Sequence, residues 1–212
     1  ELDRLLAAAL AGDYPLLVGT QMLAKGHHFP RVTLVGILDA DNGLYGSDFR
    51  AAERMAQLVI QVAGRAGRAE RPGRVVLQTH HPDHPLLQTL RRQGYPAFAA
   101  AALRERREAG LPPFTHQALL RVEAAAREAS LGWLRLAREA ACQLGGPCIS
   151  LFGPVPAPME RRAGRYRAQL LVQARERPEL QAFLAAWVPQ LYGIKGQGAS
   201  RWSLDVDPQE MF

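Results

Sequence analysis

The chain has 212 residues, of which 48% are hydrophobic and 22% are charged, and its formal net charge at pH 7 is +6. This length allows a substantial hydrophobic core and two domains. No apolar run approaches the roughly 20 residues that span a bilayer, and no basic-then-apolar leader opens the sequence, so we expect a cytoplasmic protein without a membrane partner. The basic charge bears on partners rather than on the fold.

The first part of the chain alternates between helix-like and strand-like segments, which predicts a parallel sheet flanked by helices. A further predicted helix over 96–108 leads to Gly110-Leu111-Pro112-Pro113, where two prolines forbid its continuation. We therefore predict a first domain over 1–95, a connecting helix and linker over 96–113, and a second domain over 114–212. The predicted segments of the first domain are helix 2–10, strand 15–18, strand 32–38, helix 48–67, strand 74–78 and helix 85–92.

Polar, turn-forming residues follow the first two predicted strands. The first strand ends in Gly19-Thr20-Gln21, and after a short helical stretch Lys25-Gly26 leads into a turn closed by Pro30. The second strand ends in the segment 39–43, which contains Asp39 and Asp41. Strand-end loops are where open α/β sheets bind ligands. Magnesium would need a third carboxylate, so we expect helix-capping or interdomain roles for the two aspartates.

The segment 61–68, QVAGRAGR, is the most informative stretch of the chain. At 3.6 residues per turn, Gln61, Arg65 and Arg68 share one helical face. The intervening alanines and glycines keep the backbone thin, and glycine costs roughly 0.5–1 kcal/mol against alanine in a helix interior. The pattern therefore favours a helix edge that closely approaches a phosphate, and the alternative is a solvated basic helix end.

After the linker the order of predicted elements changes to β-α-β-β-α-β, which is the order of a split βαβ, ferredoxin-like unit. The fold class predicted for the whole chain is therefore α/β followed by a small α+β domain. The predicted elements of the second domain are strand 117–122, helix 127–143, strand 149–152, strand 168–172, helix 178–191 and strand 202–206.

Four arginines cluster between two strands of this second domain, around Gly164 and Tyr166. Guanidinium groups pair with phosphates in a bidentate manner, and an aromatic ring can stack on a base. The cluster is a candidate surface for single-stranded or forked DNA, and the alternative is a solvated hairpin loop with ordinary arginines. The residues concerned are Arg161, Arg162, Arg165, Tyr166 and Arg167.

The cysteines and histidines give no metal-site prediction. The chain has two cysteines, Cys142 and Cys148, too few for a zinc site; they could form one disulfide, but a reducing compartment favours two free thiols. His80, His81 and His84 are separated by prolines that break any helix aligning them, so we expect structural roles at a strand end.

Four segments in this order resemble motifs V and VI of superfamily 2 helicases, and most closely those of the PriA family of primosomal replication-restart helicases. Superfamily 2 members usually carry Gly-x-Asp-x-Pro, whereas this chain has His28 between Gly26 and Pro30, a departure that PriA-like sequences share. The resemblance implies part of a RecA-like helicase lobe 2 followed by a small α/β carboxy-terminal domain that contributes to DNA binding. The four segments are GTQMLAKGHHFP, SDFRAAER, QVAGRAGR and VVLQTHHPDHPLL.

The resemblance also implies roles for individual residues. Gln61, Arg65 and Arg68 would reach the γ-phosphate of ATP bound on the other lobe, with Arg68 and Arg65 as the arginine finger. Gly26, Gly64 and Gly67, which have no side chain to keep a ligand away from the backbone, would lie at the nucleotide. Coupling of the nucleotide to the DNA backbone would fall to Thr20, Gln21 and Lys25 together with Gly26, through their phosphate-donor groups.

The sequence lacks several parts of such a helicase. It contains neither a Gly-x-x-x-x-Gly-Lys-Ser/Thr phosphate loop nor an Asp-Glu-x-His box, which belong to the first lobe. The cysteine-rich zinc insertion of the family is also missing. We therefore expect the chain to be the carboxy-terminal part of a longer protein, in which lobe 1 holds most of the ATP and Mg²⁺ and zinc occupies the missing insertion. By itself it should not hydrolyse ATP.

The function implied by the resemblance is that of an ATP-dependent 3′ to 5′ DNA helicase that remodels stalled replication forks and initiates primosome assembly. The implied partners are forked and single-stranded DNA, primosome proteins, the replicative helicase loader and the single-stranded-DNA-binding protein. Arg177 and Gln181, at i and i+4, resemble the pair that holds the acidic tail of that last protein. The alternative is a non-enzymatic primosome scaffold without ATPase activity; a phosphate loop upstream of Glu1 would distinguish the two.

Overall fold

The structure is a computed structural model that describes residues 2–20, 32–45, 48–63, 74–146, 148–194 and 201–211. The chain divides into two compact units, residues 1–104 and 105–212. The first contains a parallel pair of strands with helices, and the second contains an antiparallel sheet with two helices. The predicted fold class, α/β followed by a small α+β domain, is confirmed.

The first unit is organised around two parallel strands, β1 (Leu34–Ile37) and β2 (Arg74–Leu77), with Leu34 opposite Arg74 and Ile37 opposite Leu77. Parallel strands need a long crossover connection, and helices supply it. The helices are α1 (Leu2–Ala11), α2 (Asp41–Leu44), α3 (Ala51–Ala63), α4 (Pro85–Gln93) and α5 (Tyr95–Glu108), and the last four residues of α5 fall in the second unit.

Two predictions for the first unit were wrong. Residues 15–18 form no strand, and Val18 is 83% exposed, because no strand of the described residues pairs with them. Residues 41–44 form a short helix where a polar loop was predicted. The sequence 39–43 is rich in turn-forming residues, so its local propensity did not reveal that one helical turn forms there.

The core of the first unit lies where α3 meets α4 and the start of α5. Ala56 of α3 and Phe98 of α5 have no exposed surface, and Leu86 and Leu90 of α4 pack with them. The first turn of α4 is capped by His84, whose Nδ1 accepts a hydrogen bond from the Leu86 backbone N–H at 3.3 Å. A short helix of this kind depends on its cap and its buried face for stability.

The second unit is a four-stranded antiparallel sheet in the order β4-β5-β3-β6, which is the arrangement of a ferredoxin-like βαββαβ fold. Both helices pack on one face of the sheet. The elements are β3 (His116–Ala124), α6 (Arg127–Leu144), β4 (Ile149–Arg162), β5 (Arg165–Ala174), α7 (Arg177–Gly193) and β6 (Arg201–Val206).

Strand β4 is much longer than the predicted strand 149–152. Its sequence contains Pro154, Pro156 and Pro158, and proline has no backbone N–H to donate to a strand ladder. Because β4 lies at the edge of the sheet, a residue whose N–H would point away from β5 can be proline without losing a ladder bond. The extension places β4 and β5 in a hairpin whose turn is Ala163-Gly164, both with positive φ.

The core of the second unit follows the alternation of its strands. Leu120 and Val122 of β3 and Leu170 of β5 point to the helices and are fully buried. Trp187 of α7 is also fully buried, and its Nε1 donates a hydrogen bond at 3.0 Å to the backbone oxygen of Ala137 in α6. The two helices and the sheet therefore enclose one continuous core.

Candidate functional site

The helix that leads into the QVAGRAGR segment is fixed at its first turn by a buried carboxylate. Asp48 is 3% exposed, and its Oδ1 accepts the backbone N–H of Arg50 at 2.9 Å. The other oxygen, Oδ2, is paired with the Arg54 guanidinium at 2.5 Å. A carboxylate at a helix N-terminus satisfies free backbone donors and complements the helix dipole. Asp48 therefore fixes where α3 begins.

The same helix carries Gln61 near its other end. The Gln61 side chain is exposed and lies in the last turn of α3, which ends at Ala63. The remaining predicted residues of this segment follow directly in the sequence and lie outside the described residues: Gly64, Arg65, Gly67 and Arg68.

Helix α2 packs closely against α3. A Cβ atom placed on Gly43 would lie 2.5 Å from Cβ and 2.8 Å from Cγ of Met55. No real Cβ makes such contacts, so only glycine allows α2 to approach α3 at this position. In the sequence, the glycine after Asp41-Asn42 is typical of a turn, and it gave no indication of close helix packing.

Asp41 joins the carboxyl ends of the two parallel strands. Its carboxylate accepts hydrogen bonds from Oγ1 of Thr79 and, at 2.9 Å, from the backbone N–H of His80. These donors, with smaller contributions from the imidazoles of His81 and His80, hold the pKa of Asp41 below its ordinary value of 3.8. The neighbouring Asp39 accepts a hydrogen bond from the Asn42 amide. Asp41 thus makes contacts within its own unit.

Two of the three histidines lie beside an aromatic ring. The Tyr45 ring meets the His81 ring edge to face, with 4.8 Å between their centroids, and it meets the His84 ring at 5.8 Å. His84 also caps α4, as described above. Among the residues that the structure describes, no group of three or more His, Cys, Asp or Glu side chains is placed to hold a metal ion.

The predicted coupling segment is described only at its start. Thr20 is exposed and lies outside regular secondary structure. Gln21, Lys25 and Gly26 lie outside the described residues.

The arginine cluster of the second unit is divided between the two faces of the β4–β5 hairpin. Arg161 lies opposite Tyr166, and Arg162 lies opposite Arg165. Tyr166 has the same parity as the core residues of β5 and so points to the helix side, with the Arg161 guanidinium 5.4 Å from its ring centroid. Arg162, Arg165 and Arg167 point to the other side, which we call the outer face and which also carries residues 119, 121 and 123 of β3.

On the outer face, two of these arginines are held by Glu123 of β3. The Arg167 Nε lies 3.4 Å from Oε1 of Glu123, and the Arg167 side chain is 14% exposed. The Arg165 Nη2 donates to the backbone oxygen of Glu123 at 3.2 Å. On the other side of β3, Arg201 of β6 lies opposite Glu123. Sequence reasoning missed Glu123 and Arg201, because only the strand register brings them to the cluster.

The two predicted partner-binding residues lie in the first turns of α7. Arg177 is 60% exposed, and its Nη2 lies 2.9 Å from Oδ2 of Asp207. Gln181 is exposed one turn later. Asp205 pairs with Arg121 at 3.2 Å, so both aspartates of this segment form salt bridges with arginines.

Both cysteines are free, as predicted, and both are exposed. A hydrogen bond to the Glu179 side chain and repulsion from its charge raise the pKa of the Cys148 thiol above 9.0. No helix in the described part of the chain is long and apolar enough to cross a membrane.

Comparison with known proteins gives two family matches. The family described as "Primosomal protein N C-terminal domain" matches residues 107–209, and the "Helicase conserved C-terminal domain" matches residues 1–70. A replication restart protein PriA from Haemophilus influenzae is 50% identical over 204 residues, which are 94% of this chain. The chain belongs to the PriA family. Each family match falls within one of the two compact units.

Further PriA relatives agree with this membership over nearly the whole chain. The Bacillus subtilis replication restart protein PriA is 39% identical over 212 residues, or 99% of the chain, and that of Rickettsia conorii is 35% identical over 94% of it. The chain spans 27%, 26% and 30% of the lengths of these three relatives. The chain therefore corresponds to a part of each.

Proposed function

We propose that this chain is the carboxy-terminal part of an ATP-dependent 3′ to 5′ DNA helicase of the cytoplasm, which recognises stalled replication forks, remodels them and initiates primosome assembly. Membership of the PriA family and the helicase-domain match support the proposal. The observation that carries it is the placement of Gln61, exposed at the end of α3, where the QVAGRAGR segment begins.

The chemistry proposed for this segment is stabilisation of the charge that develops during phosphoryl transfer. Arg68, with Arg65, acts as an arginine finger, and Gln61, Gly64, Gly67 and Gly26 lie near the phosphates. Such a finger raises the rate by about 10³ to 10⁵, because a preorganised cation meets the charge spread over the phosphoryl oxygens. ATP and Mg²⁺ are bound mainly by lobe 1 of the parent protein, and zinc by its cysteine-rich insertion.

Two parts of this chain are proposed to contact DNA. Thr20, Gln21 and Lys25 couple the nucleotide to the DNA backbone, and the exposed position of Thr20 is compatible with this role. The second part is the β4–β5 hairpin, whose arginines are divided between its two faces. Its exposed cations would bind phosphates with release of counterions, so binding should weaken as salt is added.

The proposed protein partners are the single-stranded-DNA-binding protein, primosome proteins and the replicative helicase loader. Arg177 and Gln181 would hold the acidic tail of the first of these. Because Arg177 is already paired with Asp207, an incoming carboxylate must replace that of Asp207. The pair is partly exposed, so solvent screens it and the exchange has a small cost.

The test is Arg68→Ala in the full-length parent protein. We expect loss of DNA-stimulated ATP turnover, with DNA affinity retained within a few fold, because the residue acts on the phosphoryl group. Arg91→Ala is the control, since Arg91 is an exposed arginine on α4 whose Nη2 donates a hydrogen bond to Oε1 of Gln88 at 2.9 Å. Equal ATPase rates for Arg68→Ala and the parent would remove the finger assignment. A parent protein that binds forks without hydrolysing ATP would establish the scaffold alternative.

A further inference from the structure

The arginines of the outer face form a row that continues beyond the hairpin. Arg162 of β4, Arg165 and Arg167 of β5 and Arg201 of β6 project from this face, and we call them the basic strip. We propose that the basic strip binds the phosphates of a single DNA strand that crosses the sheet, whereas Arg161 on the opposite face does not. The inference rests on the proposed DNA binding and specifies where it occurs.

The register of the sheet sets the direction and length of the strip. Arg162 lies opposite Arg165, Arg167 lies opposite Glu123, and Glu123 lies opposite Arg201. Strands are about 4.8 Å apart, so from β4 to β6 the strip covers about 14 Å across the sheet. Arg162 and Arg165 form one row, and Arg167 and Arg201 lie with Glu123 in the next row, two residues or about 7 Å along β5. The arginines thus form a band that crosses the strands obliquely and suits an extended backbone.

The charge of the strip favours an anionic ligand. Four arginines share this band with one acidic side chain, Glu123, and Arg162 and Arg201 are exposed. The Glu123 carboxylate forms a salt bridge with Arg167 at 3.4 Å, and the Glu123 backbone oxygen accepts a hydrogen bond from Arg165. The Glu123 carboxylate therefore occupies a position that a phosphate would take, and it lowers the net charge of the band from four to three.

A second feature of the same face favours a single strand over a duplex. Phe152 of β4 lies opposite Leu171, which has the same parity as Arg165 and Arg167, and Phe152 is 52% exposed. Phe152 lies four residues along the sheet from Arg167, about 13 Å away. An exposed aromatic ring on the face that carries the arginines offers a surface on which an unpaired base of the same strand can stack. In a duplex the bases are stacked on one another inside the helix, so none is available to stack on the Phe152 ring.

The experiment measures binding of a fluorescent oligothymidine to the 212-residue chain by anisotropy over a series of salt concentrations. Arg162→Gln and Arg201→Gln should each weaken binding about three- to tenfold and reduce the salt slope by about 0.7. Arg161→Gln, the neighbouring residue on the opposite face, should change the affinity less than twofold. Glu123→Gln should tighten binding and steepen the salt slope, because it releases Arg167.

Several outcomes would overturn the proposal. Equal losses for Arg161→Gln and Arg162→Gln would mean that diffuse charge at the hairpin tip binds DNA, while DNA binding itself would stand. An unchanged affinity for Glu123→Gln would show that Glu123 does not compete with the phosphates of DNA for Arg167. Phe152→Ala should weaken binding of oligothymidine but not of a duplex of equal length, and a stronger effect on the duplex would exclude the single strand. None of these measurements depends on ATP turnover or on Arg68.

Discussion

The hydroxyl of Thr79 donates a hydrogen bond to Oδ1 of Asp41 across 38 residues of sequence, with 2.5 Å between the two oxygens. The bond connects the loop after β2 with the first residue of α2, which follows β1. It also contributes to the lowered pKa of Asp41, since a hydrogen bond to a carboxylate favours the charged form. A strand pair of four residues each thus has a polar connection at its carboxyl end.

This connection predicts a pH-dependent contribution to stability. The folded pKa of Asp41 lies below 3.8, so the stabilisation is complete above that pH and is lost as the pH falls through the folded pKa. Thr79→Val should therefore lower the melting temperature at pH 7, and the difference from the parent should narrow in acid. Thr115→Val removes a hydrogen bond to a neutral backbone oxygen, so its effect should not vary over this range. A constant deficit for Thr79→Val would contradict the prediction.

Gly43→Ala should destabilise the first unit. The added methyl group would meet Met55 at 2.5 Å, and such overpacking typically costs about 1–3 kcal/mol. Gly36→Ala is the control, because no atom lies within 4 Å of a Cβ at that position. Hydrogen exchange of the α3 amides is the suitable measurement, since all three tryptophans lie in the second unit. Unchanged exchange in Gly43→Ala would show that α2 does not pack on α3 as described.

Asp48→Ala should also loosen α3. The change removes the acceptor of the Arg50 N–H and the partner of Arg54, and we expect a cost of about 2 kcal/mol. The value is below that of a fully buried pair because Arg54 is 37% exposed and solvent screens it. Asp48→Asn keeps one acceptor oxygen and should cost less. Asp83→Ala, at an exposed aspartate, should leave exchange of the α3 amides unchanged, and equal effects at both positions would contradict the role of Asp48.

The two cysteines should differ in their reactivity. Glu179 raises the pKa of the Cys148 thiol, and only the thiolate reacts rapidly with iodoacetamide. At pH 8, Cys148 should react more slowly in the parent than in Glu179→Gln, while Cys142 should react at the same rate in both. Peptide mass spectrometry resolves the two sites within one sample. A rate at Cys148 that does not respond to Glu179→Gln would show that the carboxylate does not control it.

Most elements of the second unit follow from the sequence, because alternating apolar residues mark strands and a 3.6-residue period marks helices. The strand 117–122 and the helix 127–143 were predicted within two residues at each end. Strand 149–152 was underestimated by ten residues at its end, since prolines predict the end of a strand unless it lies at a sheet edge. Edge position is a property of the whole sheet and has no local signal.

The sequence by itself determined the family resemblance, the parallel strands followed by a βαββαβ unit, and the arginine-rich segments. Only the tertiary structure decided which face of the sheet each arginine occupies, that Glu123 and Arg201 join Arg165 and Arg167, and that Asp41 bonds to Thr79. The physical reason is that these residues are 34 or more positions apart in the chain. Their proximity depends on strand register, which the pairing and burial of the complete sheet determine together.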